Sequence, residues 1–198
     1  MTALDPVDPA LLERLHARLE SRATGADAPD VHYRLVDSPV GRLLVAATEA
    51  GVVRVAFEVE GEDGVLQGLA DRVGARVLRT PSRLDSAARW LDAYFTGGRD
   101  PFPLPLDTRL ARGFRLTVLE RLREVPYGRR VTYAGLAART DSPRAVRAVG
   151  TACATNPLPL VIPCHRVTRS DGSTGAYLGG PETKRRLLAL ESTGALPG

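Results

Sequence analysis

Four consecutive residues, Pro163, Cys164, His165 and Arg166, carry the side chains best suited to chemistry in this 198-residue chain. A cysteine reacts as its thiolate, which needs a nearby base or a positive field to form near neutral pH. A histidine next to the cysteine, in a turn that proline restricts, can supply such a base. The same four residues are also compatible with an inert, buried cysteine, which is the common state of this residue type. The surrounding elements must decide between these interpretations.

The second cysteine, Cys153, lies between two alanines of a predicted helix, so we expect it to be a packing residue. The three histidines, His16, His32 and His165, show no metal-ligand spacing with the two cysteines, and we expect neither metal nor cofactor. A reactive thiol needs a reducing compartment. The chain starts without a signal-peptide pattern and has no apolar run of about 18 residues. We therefore expect a cytoplasmic protein with no membrane contact.

The charge is distributed unevenly along the chain. Residues 1–108 carry 12 arginines and 17 acidic residues, whereas residues 109–198 carry 15 basic and 6 acidic residues. A basic half of this kind can bind phosphates, because neutralising them releases counterions. A solvated, arginine-rich surface is the alternative interpretation, and Lys184 is the single lysine of the chain.

The first half predicts a small α/β domain built on an antiparallel sheet, over residues 31–98. It follows a helical extension and linker over 1–30, in which residues 8–22 have a helical pattern. Within the domain, the pattern predicts strands over 33–36, 43–47 and 52–57, a helix over 64–73, a strand over 75–79 and a helix over 83–95. Three prolines within residues 99–108 predict an extended linker, since proline suits neither a helix nor a central strand.

The second half, residues 109–198, predicts a mostly helical domain with a helix-turn-helix. An amphipathic helix is predicted over 110–124, followed by short helices over 133–139, which Thr132 caps, and over 143–155. The last of these carries two arginines among small residues, a composition that allows close approach to a DNA groove: Arg144, Ala145, Arg147, Ala148, Gly150 and Ala152. Helix-turn-helix units also occur as plain structural packing, so this motif alone does not establish DNA binding.

Two further segments complete the pattern. The glycine-rich residues 172–180 lack the order of a phosphate-binding loop and favour a loop that yields to admit a ligand. A helix is predicted over 184–191. Its Glu191 is a solvated charge unless the helix folds back on His165.

In this order, the segments resemble the O6-alkylguanine-DNA alkyltransferase family. The matching residues are 125–128 (Val-Pro-Tyr-Gly), 132–133 (Thr-Tyr), 142–150 (Ser-Pro-Arg-Ala-Val-Arg-Ala-Val-Gly), 156–157 (Asn-Pro), Pro159, 162–167 (Ile-Pro-Cys-His-Arg-Val), 175–180 (Gly-Ala-Tyr-Leu-Gly-Gly) and 184–191 (Lys-Arg-Arg-Leu-Leu-Ala-Leu-Glu). Residues 31–108 match only as a domain pattern, and residues 1–30 have no counterpart. The resemblance implies repair of double-stranded DNA by irreversible, single-turnover transfer of an alkyl group from O6-alkylguanine to cysteine, with O4-alkylthymine as a second candidate substrate.

The resemblance also implies roles for individual residues. Cys164 accepts the alkyl group, His165 acts through a water molecule as its base, and Glu191 orients that histidine. Tyr133 helps to rotate the nucleotide out of the duplex and donates a proton to the leaving guanine. Arg147 enters the duplex in place of the flipped nucleotide.

The remaining implied roles concern DNA contact and the pocket. Asn156 braces the connector between the recognition helix and the thiol. The DNA-contacting surface would also include Arg144, Ala145, Ala148 and Gly150. The base pocket would be formed by Pro159, Val167, Gly175, Tyr177 and Leu178. Leu178 stands where the family usually has a small residue, so we expect it to narrow the pocket.

Two alternatives from other classes stay open at this point. A sensor of alkylated bases would bind DNA without transfer, but such relatives replace the reactive cysteine. A helix-turn-helix transcription regulator would read bases with polar side chains along the helix, which this chain lacks. For the alkyltransferase we expect a monomer in solution, with cooperative assembly on DNA as an option.

Overall fold

The computed structural model describes residues 28–196 together with Asp8, Ala10, Leu11, Arg14 and Leu15. Most of the predicted helix over 8–22 and most of the predicted linker over 23–30 therefore lie outside the described residues. Within the part that is described, none of the helices has the length and hydrophobicity that crossing a lipid bilayer requires.

The first half forms a four-stranded mixed sheet. Strands β1 (Val31–Val36), β2 (Leu43–Thr48) and β3 (Gly51–Phe57) form the predicted antiparallel meander, which is confirmed. The fourth strand, β4 (Val77–Arg79), pairs parallel to β1, so the prediction of a purely antiparallel sheet is wrong for this strand. The chain reaches β4 from β3 through helix α1 (Glu62–Arg72), and a helical crossover returns the chain in its original direction.

Both faces of this sheet are covered. Leu43 and Val45 of β2 pack in the large core that also contains the C-terminal helices, whereas Leu44 and Ala46 pack on the opposite face with Leu69 of α1. Side chains of a strand alternate between faces, so a strand covered on both sides is apolar at successive positions. This explains why β2 reads as a continuous apolar run.

Helix α2 (Asp85–Phe95) follows a short 3-10 turn (Pro81–Leu84) and is two residues shorter than predicted. The proline-rich segment then runs beside β3. The Val52 N–H donates to the Pro105 carbonyl, and the Asp107 N–H donates to the Val52 carbonyl, each at 2.9 Å. The segment therefore pairs with the edge of the sheet.

The second half is helical, as predicted, with one short parallel strand pair. Its elements are α3 (Phe114–Arg123), β5 (Val131–Thr132), α4 (Tyr133–Ala137), α5 (Val146–Ala154), a 3-10 turn (Cys164–Arg166), β6 (Val167–Thr168) and α6 (Gly180–Thr193). The helices α4 and α5 form the predicted helix-turn-helix. One core cluster contains residues of both halves of the chain.

The second helix of this motif begins three residues later than predicted. The Ala145 N–H donates to the Ser142 carbonyl at 2.9 Å, which closes a turn with Pro143 at its second position. Pro143 therefore serves the turn and not the first helical position. As a result, Arg144 and Ala145 lie before α5 and not within it.

The cap of α4 generates a test of this fold. The Thr132 side chain accepts the Gly135 N–H at 2.9 Å. We expect Thr132→Ala to lower the free energy of unfolding by about 1 kcal/mol, because an N-terminal donor of the helix loses its acceptor. Urea denaturation measures this loss. Thr132→Ser keeps the hydroxyl and should retain most of the stability. An equal loss in both variants would contradict the capping role.

Candidate active site

The strand pair β5–β6 brings together two segments that are distant in sequence. Val131 pairs with Val167 and Thr132 with Thr168 in parallel register. Parallel strands align their corresponding ends, so the turn that holds Cys164 precedes one end of this two-residue ladder and α4 begins at its other end. The helix-turn-helix and the thiol thus share one structural support.

Cys164 is buried, with 2% of its surface exposed. Its Sγ accepts a hydrogen bond from Asn156 Nδ2 at 3.2 Å. The same amide nitrogen donates to the Ile162 carbonyl at 2.8 Å, and Asn156 Oδ1 accepts the Leu158 N–H at 3.0 Å. Asn156 is fully buried and braces the connector at both ends. Its two Nδ2 contacts hold the connector and the thiol at fixed positions relative to each other.

The connector between Asn156 and Cys164 contains one unusual backbone conformation. Leu160 has a φ of 71°, and it has the single positive φ among the described residues other than glycine. A leucine in the left-handed region costs about 1–3 kcal/mol and persists only where its surroundings hold it. Leu160 is buried in the core, and this burial holds the strained turn next to the thiol. The sequence carries no signal for it.

His165 is fully buried beside Cys164 and is bound to a carboxylate. Its Nε2 lies 2.8 Å from Glu191 Oε1, so helix α6 does fold back on the histidine. A hydrogen bond to a carboxylate places the proton of the neutral ring on Nε2. Nδ1 is then the unprotonated nitrogen, and it has no hydrogen-bond partner within the described part of the chain. His165 is therefore arranged as a base through Nδ1.

Three further residues, which the sequence patterns did not predict, donate hydrogen bonds to the Glu191 carboxylate. Arg166 Nε donates to Oε2 at 2.9 Å, the Tyr94 hydroxyl donates to Oε1 at 2.9 Å, and the Gly128 N–H donates to Oε2 at 3.0 Å. Tyr94 comes from α2 in the first half of the chain. The only sequence signal for it is a hydroxyl-bearing aromatic on the core face of that helix.

The pKa values of Cys164, His165 and Glu191 are shifted in different directions. Burial raises the pKa of the Cys164 thiol to about 11, against the opposing hydrogen bond from Asn156. Burial also lowers the pKa of His165, against the opposing effect of Glu191. Burial alone would raise the pKa of Glu191, but His165 and Arg166 outweigh it and hold that pKa far below its ordinary value. The resting site therefore has a protonated thiol, a neutral imidazole and an ionised carboxylate.

Two of the predicted pocket residues contact aromatic rings. Gly175 has a φ of 65°, and a Cβ atom there would lie 3.0 Å from the Tyr133 hydroxyl, so both its conformation and its surroundings require glycine. The Tyr177 ring meets the His165 ring edge-on, with 6.3 Å between centroids, and meets Phe57 of β3 at 5.4 Å. Two further predicted pocket residues, Pro159 and Val167, are buried.

The fifth predicted pocket residue, Leu178, lines a different cleft. Its half-buried side chain lines a cleft between the first half of the chain and the connector, together with Arg54, Glu60, Asn156 and Pro157. None of the other four predicted pocket residues lines this cleft. The narrowing of the base pocket by Leu178 stays a prediction.

Helix α5 has one buried and one exposed face. Val149, Ala152 and Cys153 are buried, whereas Arg147 and Ala148 are exposed. Gly150 is half-buried, and Arg144 is exposed in the preceding turn. The Arg147 guanidinium makes no hydrogen bond or ion pair to the described residues, so it is available to an external partner. Among those residues there is also no cluster of three histidine, cysteine or acidic side chains that could hold a metal ion.

Two family models match this chain. The 6-O-methylguanine DNA methyltransferase, ribonuclease-like domain, matches residues 31–108, and the DNA binding domain of the same family matches residues 113–193. The Methylated-DNA–protein-cysteine methyltransferase of Methanosarcina barkeri is 36% identical over 81% of this chain and 97% of its own length. The protein of the same name from Rattus norvegicus is 35% identical over 84% of each chain.

A solved structure is similar over most of the fold. The crystal structure of Mycobacterium tuberculosis OGT in complex with DNA has a TM-score of 0.72 and 31% sequence identity, and the match covers 83% of this chain and 95% of that one. The likeness therefore extends over both halves of the molecule.

The network at Glu191 generates a test. We expect Glu191→Gln to lower the free energy of unfolding by about 3–5 kcal/mol at pH 7, because it leaves the mostly buried Arg166 guanidinium without its anion. The folded-state pKa of Glu191 is lowered, so its contribution is complete above its ordinary pKa of about 4.3 and is lost as the pH falls below that value. The difference between wild type and variant should therefore shrink in acid.

Urea denaturation at several pH values measures this difference. Glu182→Gln is the matched control, because Glu182 lies on the same helix with an exposed side chain paired to Arg185. It should cost less than about 1 kcal/mol. Equal losses in the two variants would contradict a special role for Glu191.

Proposed function

The chain belongs to the 6-O-methylguanine DNA methyltransferase family, and on this premise we propose that Cys164 is the residue that takes the alkyl group from O6-alkylguanine in DNA. The protein is a methylated-DNA–protein-cysteine methyltransferase that repairs DNA directly. The observation that carries the assignment to Cys164 is the continuous hydrogen-bonded arrangement around it. Asn156 contacts the thiol, and the adjacent His165 is oriented by Glu191.

Activation of the thiol follows from the protonation states. A thiol with a pKa of about 11 is almost entirely protonated at neutral pH, so it needs a base during the reaction. His165 Nδ1 receives the proton, relayed by a water molecule. The Glu191 carboxylate stabilises the imidazolium that forms, and Arg166 and Tyr94 hold that carboxylate in place.

The transfer then proceeds in one displacement. The Cys164 thiolate attacks the alkyl carbon, a carbon–sulfur bond forms, and the carbon–oxygen bond to guanine breaks with its electron pair moving to the base. Tyr133, the first residue of α4, supplies a proton to the leaving guanine. The thioether has no ready leaving group, so each protein molecule reacts once.

The target atom lies inside the duplex, so the nucleotide must rotate out, at a cost of roughly a few kcal/mol. The exposed Arg147 on α5 occupies the space that the nucleotide leaves. Arg144, Ala145, Ala148 and Gly150 contribute to the surface that approaches the DNA. The small residues of this surface fit close contact with little reading of bases.

We also propose that the protein works in the cytoplasm. Both cysteines are free, and a thiol that must react as such requires a reducing compartment.

The acceptor assignment is tested by intact-mass measurement. After mixing with an O6-methylguanine oligonucleotide, the protein should gain one methyl group, and peptide mapping should place it on Cys164. Cys164→Ala should gain none and should still bind the DNA, whereas Cys153→Ala should react like the wild type. An adduct on Cys153 with a free Cys164 would reverse the assignment.

The role of Arg147 is tested by comparing two substrates. We expect Arg147→Ala to slow repair of duplex DNA by roughly 10- to 100-fold, because rotation of the nucleotide loses its support, and to leave transfer from free alkylguanine base nearly unchanged. Single-turnover rates at saturating DNA measure both reactions. Arg144→Ala, which also removes one exposed positive charge, should transfer at the wild-type rate once DNA is saturating. Equal losses with duplex and free base would overturn the role of Arg147.

A further inference from the structure

Lys184 is a buried charged residue that the reaction described above does not use. Its side chain lies on α6 and is among the largest of the fully buried side chains in the described part of the chain. It is also the only lysine among 27 basic residues. Lys184 and Glu191 are seven residues apart, so two helical turns place them on the same face of α6. One helix thus delivers a cation and an anion to the same interior.

The two charges differ in their partners. Glu191 accepts hydrogen bonds from several donors, whereas Lys184 Nζ has no hydrogen-bond or ion-pair partner within the described part of the chain. Its one specific contact is with the Tyr133 ring, whose centroid lies 5.9 Å from Nζ. A buried ammonium without an anion is costly, and such groups are normally paired. A role in which an anion forms beside it only during the reaction accounts for this arrangement.

The groups around Nζ identify that anion. Burial lowers the pKa of Lys184, the nearby thiols of Cys164 and Cys153 oppose this shift, and Arg169 adds to it. Arg169 is positive and exposed, and Cys153 is the thiol with the higher pKa, which burial and the neighbouring Cys164 raise to about 12. The thiol of Cys164 is therefore the neighbour that gains a negative charge in the reaction.

We propose that the Lys184 ammonium group is the counter-ion of the Cys164 thiolate. In this arrangement the thiol proton leaves for His165, Lys184 keeps its own proton throughout, and the ammonium compensates the charge on Sγ until the carbon–sulfur bond forms. Glu191 then stabilises the cationic histidine while Lys184 stabilises the anionic sulfur. This inference rests on Cys164 being the nucleophile of the proposed function.

The choice of lysine at this position fits the role. The chain uses arginine at its 26 other basic positions. A guanidinium has five N–H donors in a rigid fork, which is more than a single thiolate can satisfy. An ammonium is a compact point charge that a thiolate can compensate alone.

The proposal predicts a shift in the pH profile of Cys164. The test compares the rate of iodoacetamide alkylation against pH in three proteins that carry Cys153→Ala: the parent, Lys184→Met and Arg185→Met. Arg185 is the matched control, because it is the next residue on α6 and has an exposed side chain. The other groups that face Cys164 or Lys184 stay unchanged in all three proteins: Tyr133, His165, Arg169, Tyr177 and Glu60.

We expect Lys184→Met to raise the midpoint of the profile by about one pH unit, which is a roughly tenfold slower reaction at pH 7. The rate at high pH should equal that of the parent, which a merely structural role would not preserve. Arg185→Met should overlay the parent. An unchanged midpoint in a folded Lys184→Met protein, or the same shift in Arg185→Met, would overturn the proposal.

A second measurement needs no change at Lys184 and covers the case in which Lys184→Met does not fold. Lysine labelled with ¹³C at Cε gives one side-chain resonance, because the chain has one lysine. Its titration is followed by NMR with Cys164 present and in Cys164→Ala. Coupling is reciprocal, so the pKa of Lys184 should be higher when a thiolate can form beside it. Identical titrations would overturn the proposal, whereas failure of the proposed function would appear separately as the absence of a methyl adduct on Cys164.

Discussion

The site depends on the hydrogen bonds and ion pairs of the Glu191 carboxylate. The carboxylate binds His165 and Arg166 from the thiol turn, Tyr94 from α2 and the Gly128 N–H from the turn after α3. These donors come from both halves of the chain, so a single buried anion ties the first domain to the reactive turn. A buried carboxylate is stable only when its oxygens are satisfied. The contacts that orient His165 consequently also hold the two halves of the chain together.

Burial of the thiol imposes the second constraint. Burial disfavours the thiolate, and it also shields the reacting sulfur from bulk solvent and strengthens the interactions between nearby charges. The resting protein is therefore unreactive, with Cys164 protonated, until base and substrate are in place. Asn156 keeps the sulfur at a fixed position through the connector, whose strained Leu160 is held by the core. Charge placement and steric positioning are supplied by different elements around the same atom.

Much of this molecule is readable from local patterns. The meander, α1, α3 and the helix-turn-helix follow from periodicity and turn chemistry, which act over a few residues. The position of β4 does not follow from such local patterns, because its parallel pairing with β1 depends on the crossover through α1. The start of α5 also differs from the prediction, because Pro143 suits a turn as well as the first position of a helix. The hydrogen bond between Ser142 and Ala145 selects the turn. In both cases a local signal was compatible with two structures.

The sequence by itself determined which residues are able to react, because a thiol, an imidazole and a carboxylate are fixed by residue type and their order matched one family. Only the tertiary structure decided the protonation states of these groups. Tyr94 and Arg166 became partners of Glu191 through contacts that span up to 97 residues, and no local pattern encodes such a distance. The burial of Lys184 likewise depends on how α6 packs against the turn that holds Cys164. Desolvation and pairing are properties of that packing, and they set the protonation states that residue identity leaves open.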